Sequence, residues 1–206
     1  STKPTAAKRP ARGTPAQTRA RLVVAAAEVF NRDGYHGTDS NCIARAAGYA
    51  PGTFYKHFPD KRAILLAVYE EWVTNEWAAV EDALKAGGRA TAVATRVVDL
   101  VLGLHRRWRG VRASLLSVVA TDPEVRRFYR GQRRRQLRML RELRAATHGP
   151  PHSAEEDAVL LFTLERTCDA VANGELQDLG LCLAPTIEVL RKLVRRHIAR
   201  DGTAII

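Results

Sequence analysis

Sulfur and aromatic residues are scarce in this 206-residue chain, which carries three cysteines, one methionine and 6% aromatic residues. Cys42, Cys168 and Cys182 form no CxxC pair, and an odd, widely spaced set supplies neither a disulfide framework nor the ligands of a zinc finger. Each lies among apolar residues, where a thiol is expected to be buried and inert. No apolar run approaches the roughly 20 residues that span a bilayer, and the basic first residues lack the apolar stretch of a secretion signal. A cytoplasmic protein with no membrane partner is expected. Paired carboxylates, a nucleophile beside its base and a Gly-rich phosphate loop are also missing, so the chain is not read as an enzyme and no cofactor is expected. His148 and His152 have the i, i+4 spacing of helical metal ligands, but Gly149-Pro150-Pro151 between them forbids the helix, and no metal site is expected.

Acidic residues are the remaining shortage: 33 Lys/Arg face 22 Asp/Glu, a net charge of +11. The excess is uneven, because residues 1–62 hold 11 Lys/Arg against 4 Asp/Glu. A basic segment neutralises phosphates and releases counterions, which makes nucleic acid the first partner to consider. Residues 1–15 combine Pro, Gly, Ser, Thr and Lys/Arg with no apolar face and are expected to form a flexible basic arm. Nine arginines crowd the segment from Arg126 to Arg144, a pattern expected of a solvated helix face.

Apolar spacing predicts an all-α architecture of about nine helices. The first runs from Ala16 to Arg32 and stops at Gly34. Thr38 is expected to cap a short second helix to Ala46, Gly48 breaks the chain, and Pro51 opens a third short helix ending near His57. Two short helices split by a glycine turn make a helix-turn-helix, predicted over residues 16–60. From 61 to 206 a larger bundle is expected. Its first helix is capped by Asp60 and ended by Gly87-Gly88, and its second is closed by Gly110. An apolar helix follows from Val111 to Ala120, then an arginine-rich one to about Thr147. Ser153 caps the eighth to Ala172, and Pro185 begins the ninth.

The informative residues run from Gly34 to Lys61. Thr38 and Pro51 stand at helix starts, where free amides attract a phosphate. Ile43 and Ala47 are expected to pack inward, and Phe54 and Phe58, four residues apart, to anchor the third helix. Thr53, Tyr55 and His57 are then left to face backbone phosphates, Lys56 to reach base edges, and Lys61 to meet a further phosphate.

Over Leu22–Leu66 the chain resembles the tetracycline-repressor (TetR) family, whose signature runs close to T-x-x-x-x-I-A-x-x-A-G-V-S-x-G-T-[LF]-Y-x-H-F-x-x-K. The carrying residues are Thr38, Ile43-Ala44, Ala47-Gly48, Gly52-Thr53-Phe54-Tyr55, His57-Phe58 and Lys61. Tyr49 and Ala50 replace the usual valine and serine or threonine, which removes the side-chain cap of the recognition helix. Ser40 stands where an apolar residue is common and could offer DNA a hydroxyl. The resemblance implies a repressor that reads palindromic double-stranded operator DNA as a homodimer joined through the eighth and ninth helices. It also implies release by a small molecule held in the bundle, for which Trp72, Glu76, Leu104, Trp108, Phe162, Glu165 and Asp169 are the pocket candidates. A TetR-like regulator with no small-molecule effector, constitutive or gated by a protein partner, is the alternative.

Overall fold

A computed structural model describes residues 13–146 and 151–199. Residues 1–12 of the expected arm and His148 lie outside them. All regular structure in the described residues is helical: α1 (Pro15–Asp33), α2 (Ser40–Ala46), α3 (Pro51–Tyr55), α4 (Lys61–Lys85), α5 (Ala90–Arg107), α6 (Arg109–Val119), α7 (Pro123–Ala146), α8 (Ala154–Asn173), α9 (Glu175–Asp178) and α10 (Leu183–Ile198). The all-α class holds.

Most boundaries follow from local chemistry. Thr14 and Gln17 form a reciprocal capping box at the start of α1, the Thr14 hydroxyl accepting from Gln17 N at 3.2 Å and the Gln17 amide oxygen accepting from Thr14 N at 2.9 Å. Asp60 accepts from Ala63 N at 2.7 Å and opens α4. Ser153 and Glu156 repeat the capping box at α8. Two expectations change at the ends of helices. Asp39, not Thr38, caps α2, its carboxylate accepting from Cys42 N at 2.7 Å while Thr38 is buried. The stretch after α8 adds the one-turn α9, pinned by buried Leu176, so the ninth expected helix is α10.

Gly110 is a third correction. It stops nothing: α5 ends at Trp108, whose φ of −109° and ψ of 25° break the helix, and α6 starts at Arg109 with Gly110 inside its first turn. The residue is small because α1 lies against it. Gly110 N donates to Asn31 Oδ1 at 2.8 Å, and a Cβ there would fall 2.1 Å from the Asn31 carbonyl oxygen.

The chain divides into two compact units. One comprises the described residues up to Trp72 with Gly110–Phe128, the other Val73–Arg109 with the described residues from Tyr129 onward. In the first, Leu22, Phe30, Ile43, Phe54, Ile64, Leu65 and Leu115 are fully buried. In the second, α8 and α10 pack on α5 around Val97, Val98, Val101, Leu160, Cys168, Val171, Leu190 and Val194. Cys168 is thus a core residue as expected, whereas Cys42 is half-buried and Cys182, at the exposed start of α10, faces solvent.

The close approach at Gly110 makes a test. Gly110→Ala should lower stability by about 1–3 kcal/mol through overpacking. Gly103→Ala, on the open side of α5 with nothing within 4 Å of the new Cβ, should raise it by about 0.5–1 kcal/mol. Urea unfolding of both variants checks the contrast.

Candidate nucleic-acid interface and effector cavity

In the first unit, α2 and α3 meet through a turn that needs glycine. Gly48 adopts φ 80°, and the reversal is closed by Tyr49 N donating to the Ala44 carbonyl at 2.8 Å. The N-cap of α3 is Ala50, which makes no side-chain cap, and Pro51 at the first helical position supplies the fixed φ in its place. Phe54 is wholly buried and Phe58 nearly so, their rings 5.8 Å apart, and the Arg19 guanidinium lies 4.9 Å from the Phe58 ring centre. These anchors fix which side of α3 is outside. Tyr55 is 56% exposed, with its ring edge-on to Phe54 at 5.3 Å. Pro51 and Lys56 are exposed, and Thr53 and His57 half-buried. An exposed phenol and ammonium on a short, rigidly anchored helix can donate to phosphate oxygens or base edges.

Three expected contact residues sit elsewhere. Thr38 and Ser40 are buried, at 8% and 7% exposure, which takes their hydroxyls away from the surface. Lys61 is turned inward: its Nζ donates to the carbonyl oxygens of Tyr35 at 2.6 Å and Thr38 at 2.7 Å and lies 4.1 Å from the Tyr35 ring centre. Burial lowers its pKa, and the Asp39 carboxylate opposes that shift. Lys61 therefore braces the turn between α1 and α2. Arg62, which the spacing did not single out, joins Asp60, Asp122 and Glu124 in one ionic cluster, with 3.1 Å to Asp122.

In the second unit, a cavity of about 80 Å³ lies between α4, α5, α7, α8 and α10. Its wall is mainly aliphatic, with Trp77, Glu76, Glu165 and His197 as the exceptions. Of the expected pocket residues, Glu76 and Glu165 line it. Trp72 does not: it belongs to the first unit, edge-on to Tyr69 at 5.2 Å with the Arg112 guanidinium 5.9 Å from its ring centre. Trp77 supplies the aromatic wall instead, because the cavity side of α4 in this unit runs through Glu76, Trp77, Val80 and Leu84. Leu104 and Trp108 are half-buried and off the wall, since α5 turns Val97 and Val101 inward. Phe162 is 51% exposed beneath Arg133, one residue past the inward Leu161. Asp169 is bound to His105 Nδ1 at 2.9 Å, off the cavity wall.

Buried charges surround this cavity, and sequence spacing revealed few of them. Glu165 pairs with Arg133 of α7 and receives Gln136 Nε2 at 3.4 Å. Farther along, Arg144 pairs with the fully buried Asp157, whose Oδ1 also meets His197 Nε2 at 3.0 Å. The His197 ring stacks on His152 at 3.8 Å, and His152 Nε2 donates to the His197 carbonyl at 2.9 Å. The expected solvated arginine face of α7 is thus corrected at two positions, where long side chains meet carboxylates of α8. Burial lowers the His197 pKa, helped by His152 and Arg144 and opposed by Asp157.

Two outcomes follow. Lys61→Ala should cost about 1–3 kcal/mol in folding stability, by leaving two carbonyls without their donor. A chemical-denaturation midpoint unchanged from the parent would contradict the bracing role. For His197, the folded state prefers the neutral ring, so the unfolded chain takes up a proton first as pH falls. Its contribution to stability is complete above the unfolded pKa near 6.5 and should be lost as pH drops through the folded value. Thermal melts between pH 7.5 and 5 should show that loss, reduced in His197→Gln.

Comparison with known proteins agrees with this geometry. Residues 22–68 match the family of bacterial regulatory proteins described as the tetR family. The HTH-type transcriptional regulator UidR of Escherichia coli is 39% identical over 51 residues, 25% of this chain and 26% of that protein. The fatty acid metabolism regulator protein of Bacillus subtilis is 32% identical over 84 residues, 41% of each chain. This chain therefore spans between about a quarter and two-fifths of the length of these curated relatives. Among solved structures, the transcriptional regulator FadR from Bacillus subtilis in complex with stearoyl-CoA shares the fold, with a TM-score of 0.63 and 19% identity over 87% of this chain and 99% of that one. The sequence match falls on the helices that carry Phe54, Tyr55 and Phe58, so residues 22–68 are similar to the tetR family of bacterial regulatory proteins, and the fold match extends across the rest of the chain.

Proposed function

We propose that this chain is a cytoplasmic, homodimeric transcriptional repressor that binds palindromic operator DNA through α2 and α3. A small apolar effector held in the aliphatic cavity releases it. The observation that carries the DNA-binding reading is the exposure of Tyr55 and Lys56 on a helix pinned from behind by Phe54 and Phe58. Pro51, Thr53 and His57 complete the contact set. Thr38, Ser40 and Lys61 support it from behind, by packing and by the internal ammonium.

Dimerisation through α8 and α10 is supported by what they leave outside. Val159 and Phe162, one turn apart on α8, and Val189 on α10 are 63%, 51% and 65% exposed. Leu161, Cys168, Leu190 and Val194 are buried within the chain and are not available to a partner. Burying the exposed set against a second copy gives a twofold arrangement, which suits two heads reading two half-sites of a palindrome.

For the effector, an aliphatic wall broken by few polar groups suits a hydrocarbon chain, and a protein of like fold is described in complex with stearoyl-CoA. The α4 helix carries both Lys61, which braces the head, and Glu76 of the cavity wall, so one continuous element can couple the two. A second reading, a regulator with no small-molecule effector, is favoured by size. About 80 Å³ is well below the roughly 300–1,000 Å³ of typical ligand pockets.

Three measurements test these readings. Tyr55→Ala should weaken binding to every duplex, whereas Lys56→Ala should alter which operator is preferred; equal losses on all sequences for Lys56→Ala would limit it to backbone contact. Sedimentation should give twice the 22.8 kDa chain mass, and Phe162→Glu with Val159→Glu should return the monomer. Long-chain acyl-CoA at saturation should lower operator affinity about 5- to 150-fold, with operator lowering acyl-CoA affinity by the same factor. Acyl-CoA binding with no change in operator affinity, or no binding of any acyl compound, would favour the effector-free reading.

A further inference from the structure

The arginines of α7 divide by helical register. Arg133 and Arg144 point inward to Glu165 and Asp157. Arg130, Arg134, Arg138 and Arg141 are exposed, and none of the four makes an ion pair with another described residue. At 100° per residue they fall within an arc of about 80°, opposite the buried Gln132, Gln136 and Leu143. Along the axis they cover about 16 Å, with steps of about 4.5–6 Å. Surface carboxylates usually interleave with such a run, yet between Arg130 and Arg141 α7 has none.

We infer that this stripe is a second phosphodiester-binding surface, separate from the head and indifferent to sequence. Three features favour a nucleic-acid backbone over other polyanions. Guanidinium groups bind phosphate oxygens in pairs, and a straight row of them matches a regularly charged polymer. Each strand of duplex DNA places one phosphate per about 3.4 Å of helix axis, so a stripe about 16 Å long lies within reach of several of them. No large apolar side chain is exposed on α7, whereas a membrane-surface helix needs an apolar face to insert and a protein interface needs an apolar centre. The surface contributes affinity and retention on DNA, while the choice of operator stays with Lys56.

The test uses the full chain and a 30-base-pair duplex of random sequence, with binding followed by anisotropy from 50 to 300 mM salt. Arg130→Gln, Arg134→Gln, Arg138→Gln and Arg141→Gln together should weaken binding at least 10-fold at low salt. They should also reduce the slope of log K against log salt by about three to four, near 0.9 for each phosphate lost. A control with the same charge change, Arg89→Gln, Arg106→Gln, Lys192→Gln and Arg196→Gln, should retain most of the slope; an equal loss in both would reduce the effect to net charge and overturn the proposal. Tyr55→Ala with Lys56→Ala should keep the stripe-dependent share of random-duplex binding. This separates the inference from the operator-reading function, since either can fail while the other stands. If the fourfold variant loses helical signal, the pairs Arg130→Gln/Arg134→Gln and Arg138→Gln/Arg141→Gln should each remove about two from the slope. An unchanged slope in both pairs overturns the proposal. So does loss of binding to phosphatidylserine-containing vesicles with duplex binding intact.

Discussion

An ammonium group held by two backbone carbonyls organises the first unit. The turn between α1 and α2 leaves the carbonyls of Tyr35 and Thr38 pointing inward, and Lys61 at the start of α4 reaches both at 2.6 and 2.7 Å. The same charge rests on the Tyr35 ring, which in turn stacks on Phe30, a fully buried residue of α1. One cation therefore connects the end of α1, the entry to α2 and the beginning of α4. Desolvation acts against the charged form, as the lowered pKa records, and the Asp39 carboxylate offsets part of that cost. With that turn fixed, Asp39 can cap α2, Gly48 can reverse the chain, and Phe54 can enter the core while Tyr55 stays outside.

The second unit solves a different problem, because its aliphatic core encloses several charged groups. Removing one partner from a buried pair leaves an uncompensated charge, so these pairs specify arrangement more strongly than they add stability. Arg133 with Glu165 and Arg144 with Asp157 set the register of α7 against α8 at two points three turns apart. Glu165 also faces the cavity, so a ligand that reaches it meets a carboxylate already neutralised by an arginine. That favours an uncharged hydrocarbon segment at this part of the wall.

Much of the fold was legible because its signals are local. Caps at Asp60 and Ser153, the breaker Gly87-Gly88 and the apolar spacing of α1, α4 and α8 act within a few residues, and the helices formed where those signals lay. Expectations changed where a distant contact decided. Gly110 looked like a stop signal and is a contact with Asn31, 79 residues away. Lys61 looked like a phosphate ligand because it belongs to the family signature, and the signature does not distinguish a contact residue from a brace. The exposed half of α3 was readable from the i, i+4 pairing of Phe54 and Phe58. The cavity wall was less so: Trp72 and Trp77 lie on one helix, and only packing decides which of them faces a cavity.

The α7 helix shows why composition alone could not assign its arginines. Nine of them look equivalent in sequence, and a solvated face is the ordinary expectation for such a run. Helical geometry separates them. Arg133 lies about 60° from the centre of the buried ridge at Gln136, near enough for its stem to pack and its guanidinium to reach Glu165, whereas Arg138 lies about 160° from it and stays outside. The α8 carboxylates then draw in Arg133 and Arg144, while Arg130, Arg134, Arg138 and Arg141 stay exposed on the opposite side of the helix. A residue type chosen for buried pairing on one side of a helix thus leaves, on the other, a row of cations that the fold does not neutralise, and such a row keeps its full attraction for an external polyanion.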